Sequence, residues 1–246
     1  MVTLIFILAE LLSFSRAGWL SLIVCFLFYV LLKLNLKFKH FFWGVATLLI
    51  LLFIFKDVLL DKAKTNTYQS DTQKVGEHLL SSGNLNTNVS NLERWNRWKC
   101  AIRMFRDRPI TGFGPGTYQF VYGPYQLPSE MTRISSMTGN RGNAHSDPLT
   151  SLSETGLPGF VLFLLWIFAT IRYGFKAYYQ TTDLLIKNMV LAALLGFVTF
   201  IFHGFFNSFI DQVKLAGLVF GSMAIIVAAD MALKSKPVYN DKKEIN

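Results

Sequence analysis

The chain has 246 residues, of which 52% are hydrophobic and 15% aromatic, and its formal net charge is +9 at pH 7. A soluble domain of this size rarely needs 23 phenylalanines, and long apolar runs are typical of a membrane protein. Net positive charge could indicate nucleic-acid binding. In membrane proteins, however, basic residues mostly flank the spans, so no nucleic-acid partner is expected.

Apolar runs predict an all-α, polytopic bundle of five to six transmembrane helices. The first run, residues 1–12, is short and has neither a basic n-region nor a small-residue cleavage site, so it does not fit a signal peptide. We expect it to belong to a span whose preceding sequence is absent. The other runs reach or approach the length needed to cross a hydrocarbon core of ~30 Å. They cover residues 17–32, 41–59, 156–172, 188–206 and 214–232.

Basic residues in the short connections predict the orientation. If the chain threads alternately, three lysine- or arginine-containing segments fall on one side, which the positive-inside rule assigns to the cytoplasm. The chain then divides into spans with an outer-face Ser15-Arg16 turn (1–59), a large extracytoplasmic loop (60–155), further spans (156–233) and a basic cytoplasmic tail (234–246).

A basic amphipathic helix is predicted within the outer loop. Ser90 and Glu93 have the spacing of a capping box, which predicts a helix start at Ser90, and Pro109 limits the other end. At ~100° per residue, four apolar side chains fall within one arc of about 80°. These are Trp95, Trp98, Ile102 and Phe105. Such a helix suits the membrane interface, and the alternative is a helix packed on the spans with solvated arginines.

The arginines beside this arc could serve a second purpose. One or two of them could bind a phosphate, because a guanidinium donates paired hydrogen bonds and stays charged. The glycines that follow, at 112, 114 and 116, could form an anion-binding nest, although a tight turn is the preferred interpretation. We expect residues 120–140 to form a flexible segment over the site.

His145 is the strongest candidate for catalysis in the loop. It precedes a predicted helix that starts at Asp147-Pro148 and runs through Glu154 toward the membrane. A helix N-terminus disfavours protonation of a nearby imidazole, which keeps the neutral form available as a base. Metal ligation is less well supported because no second histidine lies three or four residues away, and neither metal nor cofactor is expected.

Two further polar sites lie at the outer ends of spans. Arg16 lies where two spans meet. A charged side chain at this depth either serves a function or extends so that its charge reaches the membrane interface. His203, Asn207 and Asp211 have a spacing of four residues, which predicts one polar stripe on a helix facing the bundle interior.

Together these features resemble the O-antigen ligase and O-antigen polymerase superfamily of bacterial envelope glycan assembly. The resemblance covers about residues 13–165 and depends on the order of several motifs. They are "SRAGWLSL", then "RWNRWKCAIRMFRDRPITGFGPG", then "NAHSDPLTSLSETGLPG". The matching positions in the loop are Arg94, Trp98, Pro109, Gly112, Gly114, Gly116, Ala144, His145, Leu152, Glu154, Gly156 and Gly159.

The resemblance implies an inverting, metal-independent membrane glycosyltransferase. Its donor would be a glycan on undecaprenyl diphosphate, and its acceptor a hydroxyl of a glycan, of lipid A-core or of a protein. The implied diphosphate-binding residues are Arg16 and Arg94, with Arg97 as a second candidate. His145 would act on the acceptor, and Glu154 and His203 would support the site. The implied location is the bacterial inner (cytoplasmic) membrane, with the site on the periplasmic face.

Members of this superfamily usually have about twice as many spans, so we expect the chain to represent the C-terminal portion of such a protein. In addition, "SDP" follows His145 here, where an Asn-containing run is more usual. The alternative function is a non-enzymatic membrane protein that binds or transports a lipid-linked glycan. Transport is disfavoured because ionisable groups cluster outside the spans.

Overall fold

A computed structural model describes residues 8–10, 12, 16–35, 38–40, 42–44, 47, 82–137, 142–210 and 212–235. All regular structure within these ranges is helical, without a β-strand, which confirms the predicted all-α class. The α-helices are α1 (Arg16–Lys33), α2 (Ser82–Asp107), α3 (Tyr118–Val121), α4 (Asp147–Gln180), α5 (Leu184–Gly204) and α6 (Val213–Ser235). Two 3-10 turns, Gly123–Tyr125 and Pro128–Glu130, follow α3.

Helices α4, α5 and α6 are long and apolar enough to cross a membrane, and α1 is a shorter apolar helix. They contain four of the five full-length predicted spans. The remaining predicted span, 41–59, and the short segment 1–12 lie mostly outside the described residues. Helix α4 is interrupted at Gly156, whose φ of 66° and ψ of −168° are not helical. The part after this kink still exceeds the ~20 residues needed to cross a ~30 Å hydrocarbon core.

Helix α5 packs against α1, α4 and α6 and so forms the centre of the apolar bundle. The Phe28 and Phe175 rings meet edge to face at 5.5 Å between centroids. Gly174 lets α5 approach α4 closely, because a Cβ there would lie 2.4 Å from a Leu194 methyl group. The buried side chains include Phe28, Leu32, Phe175, Val190, Leu194 and Ile226.

A second core lies where α2 packs against the segment that follows it. The buried face of α2 repeats every three or four residues, as expected for a helix. It consists of Glu93, Asn96, Arg97, Cys100, Ala101 and Met104. The predicted apolar arc lies on another face, since Trp95 is 44% and Ile102 38% exposed. Helix α2 thus has a polar-rich buried face and an exposed aromatic face.

The predicted start of this helix is wrong. Helix α2 begins at Ser82, so Ser90 lies inside the helix and does not mark its start. The Glu93 carboxylate instead accepts hydrogen bonds from Arg97, Thr132 and Ser135, and these partners explain its burial. The predicted limit at Pro109 is confirmed, because α2 ends at Asp107.

The segment expected to be flexible is bonded to α2 over residues 118–137. Asn96 Nδ2 donates to Gln126 Oε1 at 2.8 Å, and Gln126 Nε2 donates to the carbonyl of Ser136 at 2.8 Å. Lys99 pairs with Glu130 at 2.7 Å. Polar side chains of α2 therefore fix this segment and build a folded unit outside the apolar bundle.

Candidate functional site

Three parts of the fold converge on the start of α4. They are helix α2, the glycine-containing turn at 112–118 and the turn at 204–210 between α5 and α6. Because α4 begins at Asp147, His145 lies two residues before it, as predicted from the sequence. Each of the three parts bonds to a different position between 142 and 157, and so fixes the loop that carries His145.

His145 adopts a left-handed backbone conformation with φ of 49°, which is uncommon for a residue with a side chain. Two hydrogen bonds hold it there. Its backbone N–H donates to Asn143 Oδ1 at 3.0 Å, and its carbonyl accepts from Trp98 Nε1 at 3.3 Å. Such strain persists only where surrounding contacts enforce it, and it is concentrated at functional sites.

The surroundings of His145 favour the neutral imidazole. Burial lowers the pKa of His145 to about 4, with further lowering by the charges of Arg97 and Arg94 and a smaller opposing effect of Glu93. The ring is therefore unprotonated at neutral pH and can accept a proton. A negatively charged ligand near the arginines would offset their effect and strengthen this base.

Arg97 is buried, and its contacts hold the loop. Its Nε donates to Glu93 at 2.9 Å, its Nη1 donates to the carbonyl of Asn143 at 3.2 Å, and its guanidinium lies over the Tyr122 ring at 4.9 Å. Burial raises the pKa of Glu93, but hydrogen bonds from Ser135, Thr132 and Arg97 outweigh this and leave the pKa below its ordinary value. The Arg97–Glu93 pair is thus an ionised buried pair.

Arg94 differs from Arg97 because its Nε is a buried donor without an acceptor among the described residues. Its Nη2 lies 3.5 Å from Asn207 Oδ1, at the limit of a hydrogen bond. A buried N–H without an acceptor costs ~1–3 kcal/mol, so this position favours an incoming anion. Arg94 is also close enough to His145 to influence its charge.

The turn after α5 is bonded to the start of α4. Asp147 Oδ1 accepts from the backbone N–H groups of Phe209 at 2.9 Å and Ile210 at 3.3 Å, and Ser208 Oγ accepts from the N–H of Ser146 at 3.1 Å. His203 lies in the last turn of α5. The predicted polar stripe is wrong for Asn207, because α5 ends at Gly204; Asp211 lies outside the described residues.

The glycine-containing turn holds an anion, but that anion is a side chain of the protein itself. Glu154 Oε2 accepts from the N–H of Gly116 at 2.8 Å, and Oε1 accepts from the N–H of Tyr118 at 2.9 Å. A Cβ on Gly112 would lie 2.3 Å from the Glu154 backbone, so only glycine permits this approach. The glycines thus form a turn, as preferred, and the N–H groups of this turn bind an anion from within the chain.

Residues 1–164 match the model of a family described as O-Antigen ligase. This chain belongs to the O-Antigen ligase family. An uncharacterized protein of Haemophilus influenzae strain Rd is 26% identical over 212 residues, which are 83% of this chain and 49% of that protein. The chain therefore spans about half the length of this relative. No solved structure matches it.

In this O-Antigen ligase family member, most of the predicted site residues lie around the start of α4. Arg94 and Arg97 come from α2, and His203 comes from the end of α5. Glu154 lies on α4 itself, with its carboxylate turned to the glycine turn. Arg16 is the first residue of α1, and its side chain is outside the described structure. In the part of the chain that the structure describes, no group of three or more His, Cys, Asp or Glu residues could hold a metal ion.

Three residues that help to hold the His145 loop in this family member are not evident as such from the sequence. Glu93 has the spacing of a cap, and nothing in the sequence distinguishes Asn143. Trp98 lies on the predicted apolar arc and at a position that matches the family, but its hydrogen bond to the His145 carbonyl is visible only in the structure. The spacing of four residues between Glu93 and Arg97 is that of a helical ion pair and could have indicated their contact.

Proposed function

We propose that the chain carries the reaction site of a membrane glycosyltransferase. It would transfer a glycan from undecaprenyl diphosphate to an acceptor hydroxyl, with inversion and without a metal ion. Membership of the O-Antigen ligase family supports this class of reaction. Two residues of the site carry the proposal together. Arg94 has a buried donor without an acceptor among the described residues, and His145 is neutral and lies in a strained loop.

The reaction separates a sugar from a diphosphate. The acceptor oxygen bonds to the anomeric carbon while the bond from that carbon to the phosphate oxygen breaks, and the diphosphate leaves with the electron pair. His145 takes the hydroxyl proton as the new bond forms. Arg94 stabilises the negative charge that grows on the leaving phosphate, a form of stabilisation that is greater in the transition state than in the ground state.

The other predicted residues have supporting roles in this proposal. Arg16, at the start of α1 on the predicted outer face, is proposed as the second diphosphate ligand. Arg97 remains a candidate for the same role, but its contacts with Glu93 and Asn143 favour a positioning function. Glu154 fixes the glycine turn, and His203 lies beside the turn that brings Asn207 to Arg94.

An apolar cavity of about 630 Å³ supports a lipid-linked donor. It lies between α1, α5 and α6 and is lined by residues that include Cys25, Thr199, Phe200, His203, Leu218 and Val219. An isoprenoid tail could lie among these side chains at little cost in hydration. His203 gives the cavity a polar group close to the turn that contacts Arg94.

The alternative is a membrane protein that binds or carries a lipid-linked glycan without chemistry. The apolar cavity and Arg94 would suit this function equally well. The strained and neutral His145 favours the enzyme, because simple binding of an anion gains nothing from a base held in this way.

The decisive test is a transfer reaction with the purified chain in lipid nanodiscs and a glycan on undecaprenyl diphosphate. The proposal expects release of the lipid diphosphate only when an acceptor is present, with a glycosylated acceptor as the second product. Products from glycan, lipid A-core and peptide acceptors distinguish polymerase, ligase and protein-glycosylating activities. Binding of the donor without release of the diphosphate, with each acceptor, would favour the alternative.

A further inference from the structure

A polar cavity of about 280 Å³ lies beside the His145 loop, on the side of the glycine turn. Its volume is near the lower end of the ~300–1,000 Å³ range of small-molecule sites. Two elements line this cavity. One is the turn at 116–119, and the other is the start of α4 together with the loop that precedes it. The lining residues include Gly116, Gln119, Asn143, Thr150 and Glu154.

The lining has the chemistry of a sugar site. Amide side chains such as those of Gln119 and Asn143 both donate and accept hydrogen bonds, and a carboxylate such as Glu154 accepts them. A sugar presents hydroxyl groups that also donate and accept, so each can find a partner on this surface. The backbone N–H groups of Gly116 and Tyr118 hold the Glu154 carboxylate in place, so its position does not depend on a ligand.

This cavity and the proposed diphosphate position differ in the charge of the side chains around them. The Glu154 carboxylate is buried in its wall, and it would repel a phosphate group. The Arg94 guanidinium lies instead beside Asn207, in the turn after α5. A neutral glycan therefore fits the Glu154 side, whereas the anionic part of a donor fits the Arg94 side.

Asn143 connects the cavity to the proposed base. It is one of the lining residues, and its Oδ1 accepts the hydrogen bond from the backbone N–H of His145. A sugar bound in the cavity would contact the residue that fixes His145. The cavity therefore adjoins the short loop that carries His145.

We propose that this cavity is a sugar-binding subsite, and that it holds the acceptor sugar next to His145. The acceptor assignment rests on the proposed transferase function, whereas sugar binding by the cavity does not. Gln119 is a specificity-determining residue of the subsite. Its side chain is half-buried, and its hydrogen bond from Nε2 to the Gly116 carbonyl is long at 3.4 Å, so it can reorient toward a ligand.

The test compares two tryptophan variants and one alanine variant of the full chain in nanodiscs. Gln119→Trp fills the cavity, and Phe120→Trp places the same ring at the neighbouring position, where the native side chain is 71% exposed. The probes are free hexoses and N-acetylhexosamines, and binding is read by saturation-transfer NMR. In the transfer assay, acceptor and donor concentrations are varied separately. Gln119→Ala is a second variant that removes the amide without adding bulk.

For at least one of these sugars, we expect a binding signal with the wild type and with Phe120→Trp, and its loss with Gln119→Trp. Gln119→Ala should raise the acceptor KM on the order of tenfold, as expected for the loss of one or two hydrogen bonds, and leave the donor KM unchanged. No sugar signal with the wild type, or an equal signal with Gln119→Trp, would overturn the subsite. A rise in the donor KM alone would overturn its assignment to the acceptor. Sugar binding that Gln119→Trp removes, without turnover by the wild type, supports the subsite and contradicts the proposed transfer.

Discussion

The indole N–H of Trp98 donates a hydrogen bond to the backbone carbonyl of His145, across 3.3 Å and 47 positions of the sequence. This hydrogen bond joins the middle of α2 to His145, the residue of the loop that has a left-handed backbone. The Trp98 ring also lies 6.5 Å from that of Phe206, in the turn after α5. A residue that suggests membrane contact in the sequence is therefore a support of the His145 loop.

Trp98→Phe tests the importance of this support. The substitution keeps an aromatic ring but removes the N–H, so the His145 carbonyl loses its partner. One hydrogen bond contributes ~0.5–1.5 kcal/mol, so its loss should favour displaced conformations of the loop and lower kcat by up to about tenfold, with a loss of stability no larger than this contribution. Trp95→Phe is the matched control, because Trp95 is 44% exposed on the same helix. Equal effects of both substitutions would contradict a specific role of Trp98.

Arg94→Ala should remove the charge that stabilises the leaving diphosphate. Loss of such an electrostatic contact typically lowers kcat by ~100- to 1,000-fold, and we expect a fall of this size with the protein still folded. Arg94→Lys should recover only part of the rate, because an ammonium lacks the planar guanidinium fork. Arg106→Ala is the control, since Arg106 is exposed on the same helix. Transfer by Arg94→Ala at the rate of Arg106→Ala would exclude Arg94 from the reaction.

The pKa of His145 predicts the acid side of the pH–rate profile. Burial and two arginines lower this pKa to about 4, so the neutral base persists in the free enzyme down to that pH. The value of kcat/KM should therefore change little between pH 7.5 and about pH 5 and fall only near pH 4. A histidine with an ordinary pKa of ~6.5 would give a roughly tenfold fall by pH 5.5. A midpoint near 6.5 would show that burial and the two arginines do not lower the pKa of His145.

Gly156 allows α4 to bend where it meets the end of α2. Its φ is 66°, and a Cβ there would lie 2.4 Å from the carbonyl oxygen of Ile110. Gly156→Ala combines a left-handed backbone with a backbone clash and should destabilise the protein by about 2 kcal/mol or more. Thermal unfolding in detergent measures this loss. Gly221→Ala is the control, since a Cβ at Gly221 meets no atom within 4 Å among the described residues and should leave the melting temperature nearly unchanged.

Much of the fold follows from periodicity and hydropathy. Uninterrupted apolar runs predict α4, α5 and α6, because a span must satisfy its backbone hydrogen bonds internally and needs a minimum length. Asp147-Pro148 correctly marks the start of α4, and Pro109 correctly limits α2. Each of these signals lies within a short run of neighbouring residues, so it can be identified in the sequence alone.

The errors arise where polar side chains find distant partners. Glu93 has the spacing of a cap, yet it bonds to Thr132 and Ser135, about forty positions away. Glu154 fills the glycine turn, so the nest has its anion within the chain. The segment at 118–137 covers the polar face of α2, whose burial is not evident from the sequence, whereas Trp95 and Ile102 of the predicted apolar arc are exposed. Hydropathy alone carries no information about such long-range hydrogen bonding.

The most direct test of the proposed chemistry is His145→Ala, assayed for both donor binding and transfer in nanodiscs. The side chain is the proposed base, whereas Arg94 and the apolar cavity would bind the donor. We predict that the variant folds, retains affinity for the lipid-linked glycan within about twofold, and loses at least about 99% of transfer, as expected for removal of a general base. Full transfer by the folded variant would contradict the catalytic assignment of His145.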